Sequence, residues 1–163
     1  MATLEAAGTA RATQAVRNGT LKIASQKAPT LQFKKLVEQA TIPTKSHPTD
    51  AGFDLVSVME TTVPARGRRM VSTGIATAIP QGMVGLVAPR SGLAVKSGIS
   101  VTNAPGIVDS GYRGELKVIL QNHSDDDFKV MPGDRIAQLV VVPFLQWNSE
   151  EVDELPTADR GEA

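Results

Sequence analysis

The chain contains no cysteine, which excludes a disulfide framework, a thiolate nucleophile and a cysteine-ligated metal site, and fits a reducing compartment. Aromatic residues are scarce, with four Phe, one Tyr and one Trp among 163 residues. Seventeen basic and seventeen acidic side chains cancel, so no global field draws the chain to nucleic acid or to a membrane surface, and any anion has to be bound locally. The longest apolar run, Ile136 to Leu145, is interrupted by Gln138 and Pro143 and is too short to span a bilayer. Only two histidines occur, His47 and His123; both fall in polar stretches without ligand spacing and are expected at the surface, with no zinc site. A soluble chain of one domain follows, long enough to bury a core and cytoplasmic by default.

Charge is unevenly placed. Residues 1–30 carry Arg11, Arg17, Lys22 and Lys27 against Glu5 alone and read as a disordered N-terminal extension, with an organellar transit peptide as the alternative. Residues 149–163 hold six acidic side chains against Arg160 and read as a mobile acidic arm. Between them, residues 31–148 form the expected folded domain.

That middle region is a series of short, β-branched segments separated by Gly, Pro, Asp and Asn: LQFKKLVE, TVPA, MVSTGIATAIP, MVGLVAP, ISVTNAPGIVD, ELKVILQNHS, DFKVMPG and RIAQLVVVPF. Helical periodicity is confined to a short stretch at Leu93 to Ser97. An all-β barrel or jelly roll is predicted. Its edges and small aromatic content make burial of further apolar surface by oligomerisation plausible.

Four glycine-bearing blocks carry the candidate chemistry. The most informative is Gly106 to Val118, GIVDSGYRGELKV, read as a hairpin whose glycines permit tight turns and close approach of a ligand to the backbone. Asp109 there is placed to take a proton from water beside a polyphosphate, or to serve as a turn residue. Tyr112 offers a ring to lie against a sugar, or a core aromatic. Asn103, just upstream, has donors and an acceptor for a base edge, or forms an Asx-turn. In Pro89 to Ile99, PRSGLAVKSGI, a guanidinium, a hydroxyl and a Cβ-free backbone stand in succession at Arg90, Ser91 and Gly92, the donor set that phosphate needs; a structural ion pair of Arg90 is the other use. Lys96 reads as a solvated charge. In GDRIAQL, from Gly133 to Leu139, Asp134 and Arg135 are expected to pair across a turn. Gln138, an amide in an apolar strand, has to be paired and could donate to phosphate. In DAGFDL, from Asp50 to Leu55, Asp54 by itself reads as a turn residue.

Taken in order, DAGFDL, PRSGLAVKSGI, GIVDSGYRGELKV and GDRIAQL closely resemble the first four of five motifs of the trimeric dUTP diphosphatases, the dUTPases, over roughly Leu31 to Ala163. The resemblance implies a jelly-roll subunit in a homotrimer, with active sites built from motifs of more than one subunit. It implies hydrolysis of dUTP to dUMP and pyrophosphate, which supplies dUMP for thymidylate synthesis and limits uracil in DNA. By the same resemblance Asp109 activates the attacking water and Tyr112 stacks on the deoxyribose and excludes a 2′-hydroxyl. Asn103 and the surrounding segment, with Gly106, Val108 and Lys117, hold the nucleoside. Arg90, Ser91, Gly92, Gln138 and Arg160 hold the phosphates. The implied cofactor is Mg2+, chelated chiefly by the triphosphate, with Asp54 acting through its waters and no direct protein ligand. The fifth motif begins at Asp159-Arg160-Gly161 and lacks the aromatic, glycine-rich continuation found in the family, so an incomplete lid and weak turnover are expected. Two alternative readings stand beside it. A dCTP deaminase of related fold would need a glutamate base, for which only Glu115 is near, and a strand-face ion pair is the plainer use of that residue. A non-catalytic nucleotide-sensing or protein-binding module would use the same scaffold.

Overall fold

The computed structural model describes residues 29–157, and the folded unit begins at Leu31. The expected extension up to residue 28, and Arg160, lie outside the described residues. In chain order the elements are β1 (Gln32–Lys35), β2 (Phe53–Val56), β3 (Thr61–Val63), β4 (Arg68–Ser72), β5 (Ile75–Ala78), β6 (Met83–Ala88), α1 (Ser91–Ser97), β7 (Ile99–Val101), β8 (Gly106–Val108), β9 (Lys117–Asn122), β10 (Phe128–Val130) and β11 (Arg135–Pro143). A four-stranded sheet runs β2-β11-β6-β8 and a three-stranded sheet β4-β9-β7, while β1–β5 and β10–β3 form separate pairs. Every pairing is antiparallel. The all-β, jelly-roll class expected from the sequence is the one observed, and no described helix is long and apolar enough to cross a membrane.

Alternation along the strands supplies the core. In β9, Val118, Leu120 and Asn122 point inward while their neighbours are more exposed, the two-residue period of a half-buried strand. Leu55, Val63, Val71, Ile75, Ile99, Val130, Ile136 and Leu139 close the same apolar interior. Two expected segments each divide into two strands. MVSTGIATAIP breaks at Gly74, whose φ of 65° lies in the left-handed region, so the chain leaves β4 in one sheet and enters β5 in another. ISVTNAPGIVD likewise divides into β7 and β8.

Two expectations need correction. Gly106 to Val118 is not a hairpin: β8 pairs with β6, whereas β9 pairs with β4 and β7, so the segment bridges two sheets. Asp54 is not a turn residue, because it lies within β2 opposite Gln138 of β11. The turn before it is made instead by Asp50, whose Oδ2 accepts from the His47 N–H at 2.8 Å.

Among buried polar side chains, Asn122 is fully enclosed and fully used. Its Nδ2 donates to the carbonyls of Val63 at 3.2 Å and Asp126 at 2.8 Å, and its Oδ1 accepts from the N–H and the hydroxyl of Ser124 at 2.9 and 2.7 Å. One amide thus ties the end of β9 to β3 and to the following loop. Asn122→Ala strands those carbonyls in the interior and is expected to lower unfolding free energy by about 2–4 kcal/mol, read from the urea midpoint at unchanged slope.

Candidate active site

The candidate residues gather around two cavities. The first, of about 160 Å³, opens between the two main sheets and is lined by Asn103, Gly106, Val108, Asp109, Tyr112 and Lys117, together with apolar side chains such as Val87 and Val101. The second, of about 350 Å³, is lined by Ser46, Asp50, Ala51, Gly52, Asp54, Arg90, Ser91, Gly92 and Gln138. Thus the sequence-derived nucleoside residues share one cavity, and the phosphate residues Arg90, Ser91, Gly92 and Gln138 share the other. Within the described residues of one chain, the two cavities have no lining residue in common.

The first cavity depends on how the segment between β8 and β9 is pinned. The Tyr112 N–H donates to the Asp109 carbonyl at 3.0 Å, closing a tight turn. Beyond it the Tyr112 hydroxyl donates to the Glu115 carbonyl at 2.9 Å, which folds the ring back over Gly114. A Cβ at Gly114 would stand 2.5 Å from Tyr112 Oη and 2.7 Å from Cζ, so the ring takes this position because residue 114 has no side chain. The far end of the segment is held by the β4–β5 connection: Thr73 Oγ1 donates to the Leu116 carbonyl at 2.6 Å, and the Gly74 N–H donates to Glu115 Oε1 at 2.8 Å. Glu115 also pairs with Lys117 at 3.5 Å, the strand-face use expected of it. Asp109 stands apart from this network. Its side chain forms no hydrogen bond or ion pair among the described residues, and it faces the cavity from an exposed position.

The second cavity is set by an irregularity in β11. Its register against β2 shifts between Arg135 and Ala137, and Ile136 and Ala137 are both buried. This bulge lets two successive residues point inward, so Arg135 and Gln138, three apart, both face outward on the side of Asp54. Gln138 Nε2 donates to the Pro89 carbonyl at 2.9 Å, which satisfies one of its two N–H groups. Its Oε1 packs so closely over Gly52 that a Cβ there would collide with it. On the next strand the chain leaves β6 through Pro89 and enters α1, two residues earlier than periodicity predicts. The Leu93 and Ala94 N–H groups already bond to the Arg90 carbonyl, whereas those of Ser91 and Gly92 belong to the unpaired first turn. Gly92 has open space where a Cβ would be, and Gly98, left-handed at φ 63°, ends the helix by donating to Ala94 and Leu93.

At the cavity wall Asp54 is held on both oxygens: Oδ1 by Arg90 Nε at 3.1 Å, and Oδ2 by Arg135 Nη1 at 3.2 Å and the Ser46 hydroxyl at 3.0 Å. The partner of Arg135 is therefore Asp54, not Asp134 as the sequence suggested. Asp134 instead accepts the Met131 N–H at 2.8 Å and shapes the turn into β11. Sequence reasoning passed over both Ser46 and this use of Arg135. The bulge that turns Arg135 toward Asp54 has no signature in the apolar run, and Ser46 lies eight residues from Asp54 in a polar stretch.

The packing around Gln138 makes a paired prediction. Gly52→Ala drives a methyl into the amide and is expected to cost about 1–3 kcal/mol. Gly92→Ala, free of any neighbour and inside a helix, is expected to be neutral or to stabilise by up to about 1 kcal/mol. Parallel denaturant titrations of the two variants decide this.

Comparison with known proteins agrees with this geometry. A family model described as dUTPase matches residues 38–163. The chain is 47% identical over 156 residues to a deoxyuridine 5′-triphosphate nucleotidohydrolase of Oryza sativa subsp. japonica, covering 96% of this chain and 90% of that protein. It is 50% identical over 132 residues to the protein of the same name from Helicobacter hepaticus, covering 81% and 84%. Among solved structures, the Staphylococcus bacteriophage 80alpha dUTPase with dUpNHpp superposes at a TM-score of 0.76 with 30% identity, covering 83% of this chain and 96% of that one. A mutant dUTPase from phage phi11 of S. aureus, described with a structural Mg(II) ion, superposes at 0.72 with 28% identity, covering 77% and 98%. On the family match and on this identity over most of its length, the chain belongs to the dUTPase family.

Proposed function

We propose that this protein hydrolyses dUTP to dUMP and pyrophosphate, with the nucleoside in the cavity between the sheets and the phosphates against the Arg90 side. The observation that carries the reading is the contrast between two carboxylates. Asp54 has both oxygens occupied by cationic and hydroxyl donors, whereas Asp109 has no partner among the described residues and keeps its lone pairs for a water proton.

In this mechanism Asp109 takes a proton from a water as its oxygen attacks the α-phosphorus. The bond from the α-phosphorus to the oxygen bridging to the β-phosphate breaks, and its electron pair leaves on pyrophosphate. Tyr112, held over Gly114, supports the deoxyribose and leaves no volume for a 2′-hydroxyl. Asn103, with the backbone at Gly106 and Val108 and with Lys117 on β9, surrounds the base. Arg90, Ser91, Gly92 and the remaining N–H of Gln138 receive the phosphates, together with Arg160 from beyond the described residues.

Magnesium fits this arrangement as a companion of the triphosphate. No three His, Asp or Glu side chains converge as ligands among the described residues, and with three donors already on its oxygens Asp54 suits an outer contact through water. When bound, the ion would neutralise phosphate charge.

The separation of the cavities supports a homotrimer in which one subunit supplies Asp109 and Tyr112 and another supplies Arg90 and Gln138. Exposed apolar side chains on the single chain, among them Ile107 at 62%, Val95 at 86% and Trp147 at 84%, offer surface for such an assembly. Residues 31–148 form the domain that builds the sites, with residues 149–163 as its arm.

Pyrophosphate release with magnesium, measured side by side on dUTP, dCTP, dTTP and UTP, is expected for dUTP. Asp109→Asn should lower kcat by about 10²–10⁴ and leave nucleotide affinity in place; turnover unaffected by that change would refute the assignment. Tyr112→Ala should reduce the preference for dUTP over UTP by about tenfold or more, since the bulk that excludes the 2′-hydroxyl is gone; an unchanged ratio would remove Tyr112 from sugar selection.

A further inference from the structure

Two guanidiniums and one carboxylate meet at the wall of the Asp54 cavity, and the third member, Arg135, touches both of the others. Its Nη1 reaches Asp54 Oδ2 at 3.2 Å and the Ser46 hydroxyl at 3.1 Å. Its backbone carbonyl accepts from Arg90 Nη1 at 3.1 Å. Arg90 is thus fixed at two nitrogens, through Asp54 on one side and through the main chain of Arg135 on the other. The Asp54 side chain is only 16% exposed and that of Arg90 26%, so their attraction is only partly screened by water.

We propose that Arg135 is a positioning residue for phosphate binding, acting through Arg90 and Asp54 rather than by touching the substrate. The inference rests on the reading that the Arg90 side receives the triphosphate. Without Arg135, Asp54 and Arg90 form a neutral pair, and an incoming phosphate has to compete with Asp54 for the same guanidinium. Arg135 shares the charge of Asp54, weakens that competition and leaves the trio with one net positive charge toward the anion. Ser46 orients Asp54 by donating to Oδ2, and its oxygen accepts from Arg135. The bulge in β11 is what brings Arg135 into this position, so the proposal also gives a use to that irregularity.

Calorimetric titration of the full-length protein with dUpNHpp and, separately, with dUMP tests this. Arg135→Gln should weaken dUpNHpp by about tenfold or more while dUMP changes by less than about twofold. Arg135→Lys should recover part of the loss, because charge returns without the planar fork. Adding Asp54→Asn to Arg135→Gln should recover most of it, since the competing carboxylate charge is then removed. Equal losses for both ligands would mark Arg135 as merely structural, and unchanged dUpNHpp affinity would also overturn the proposal. Should Arg135→Gln fail to fold, Ser46→Ala at an exposed loop position should weaken dUpNHpp by about two- to threefold with dUMP unaffected, and no effect there would count against it. A wild-type protein that neither binds dUpNHpp nor turns over dUTP would sink the functional reading and this inference with it. The variant outcomes, read against an active wild type, sink this inference alone.

Discussion

Strand β11 pairs with β2 on one side and β6 on the other, and much of the site depends on this double pairing and on the single bulge within it. Because direct cross-strand neighbours share a face, the register that sets Gln138 opposite both Asp54 and Ala88 brings the polar groups of β2, of β11 and of the segment that follows β6 to one wall. The bulge resolves a conflict between core and site. Ile136 and Leu139 are needed in the interior, and strict alternation would then turn Gln138 inward as well. Burying Ile136 and Ala137 in succession restores the outward direction for Gln138 and keeps Arg135 outward before it. Gly52 completes the arrangement by leaving room for the amide.

From that wall follows a division of labour between two acids. Asp54 is embedded among donors and stabilises cationic groups; Asp109, on the segment that bridges the sheets, has no side-chain partner among the described residues. The two environments arise from different physics. Asp54 lies inside a strand whose neighbours deliver guanidiniums across the sheet, whereas Asp109 opens a tight turn closed by the Tyr112 N–H, with the Arg113 guanidinium on the Ser110 and Tyr112 carbonyls. The phenol beside it is aimed by the absence of a side chain at Gly114 and by one hydrogen bond to the Glu115 carbonyl. The β4–β5 connection, anchored to Glu115 and Leu116 through Thr73 and Gly74, makes the turn an extension of the core. Function on this reading needs both acids, one to hold the cation that meets the phosphates and one to receive a proton.

Much of this was legible in the sequence, and the remainder was hidden for identifiable reasons. The alternating, β-branched segments announced an all-β fold, and the glycine-rich blocks marked the segments that line both cavities, because each block holds several of the needed residue types in succession. The pairing pattern was not legible. That β8 and β9 belong to different sheets is decided by strands distant in sequence, so a local pattern of glycines and β-branched residues reads equally well as a hairpin. Asp54 considered by itself reads as a turn residue because Asp after Gly and an aromatic is common in turns, whereas its short strand is fixed by pairing with the distant β11. The Arg135–Asp54 contact links residues 81 positions apart, and the neighbouring Asp134 offered a nearer but incorrect partner. Long-range electrostatics and a one-residue bulge leave little trace in local composition.

On the proposed reading, hydrolysis occurs in a composite site, with Asp109 from one subunit and Arg90 from another. Its most direct test uses Asp109→Asn and Arg90→Ala chains, each inactive alone, unfolded together in equal amounts and refolded as mixed trimers. Each site in a randomly mixed cyclic trimer then draws its two halves from neighbouring chains, and about a quarter of the sites combine two intact halves. Recovery of about a quarter of the wild-type rate of pyrophosphate release from dUTP is therefore expected. Mixed trimers that form and remain inactive would contradict the account and place both residues in the site of a single chain.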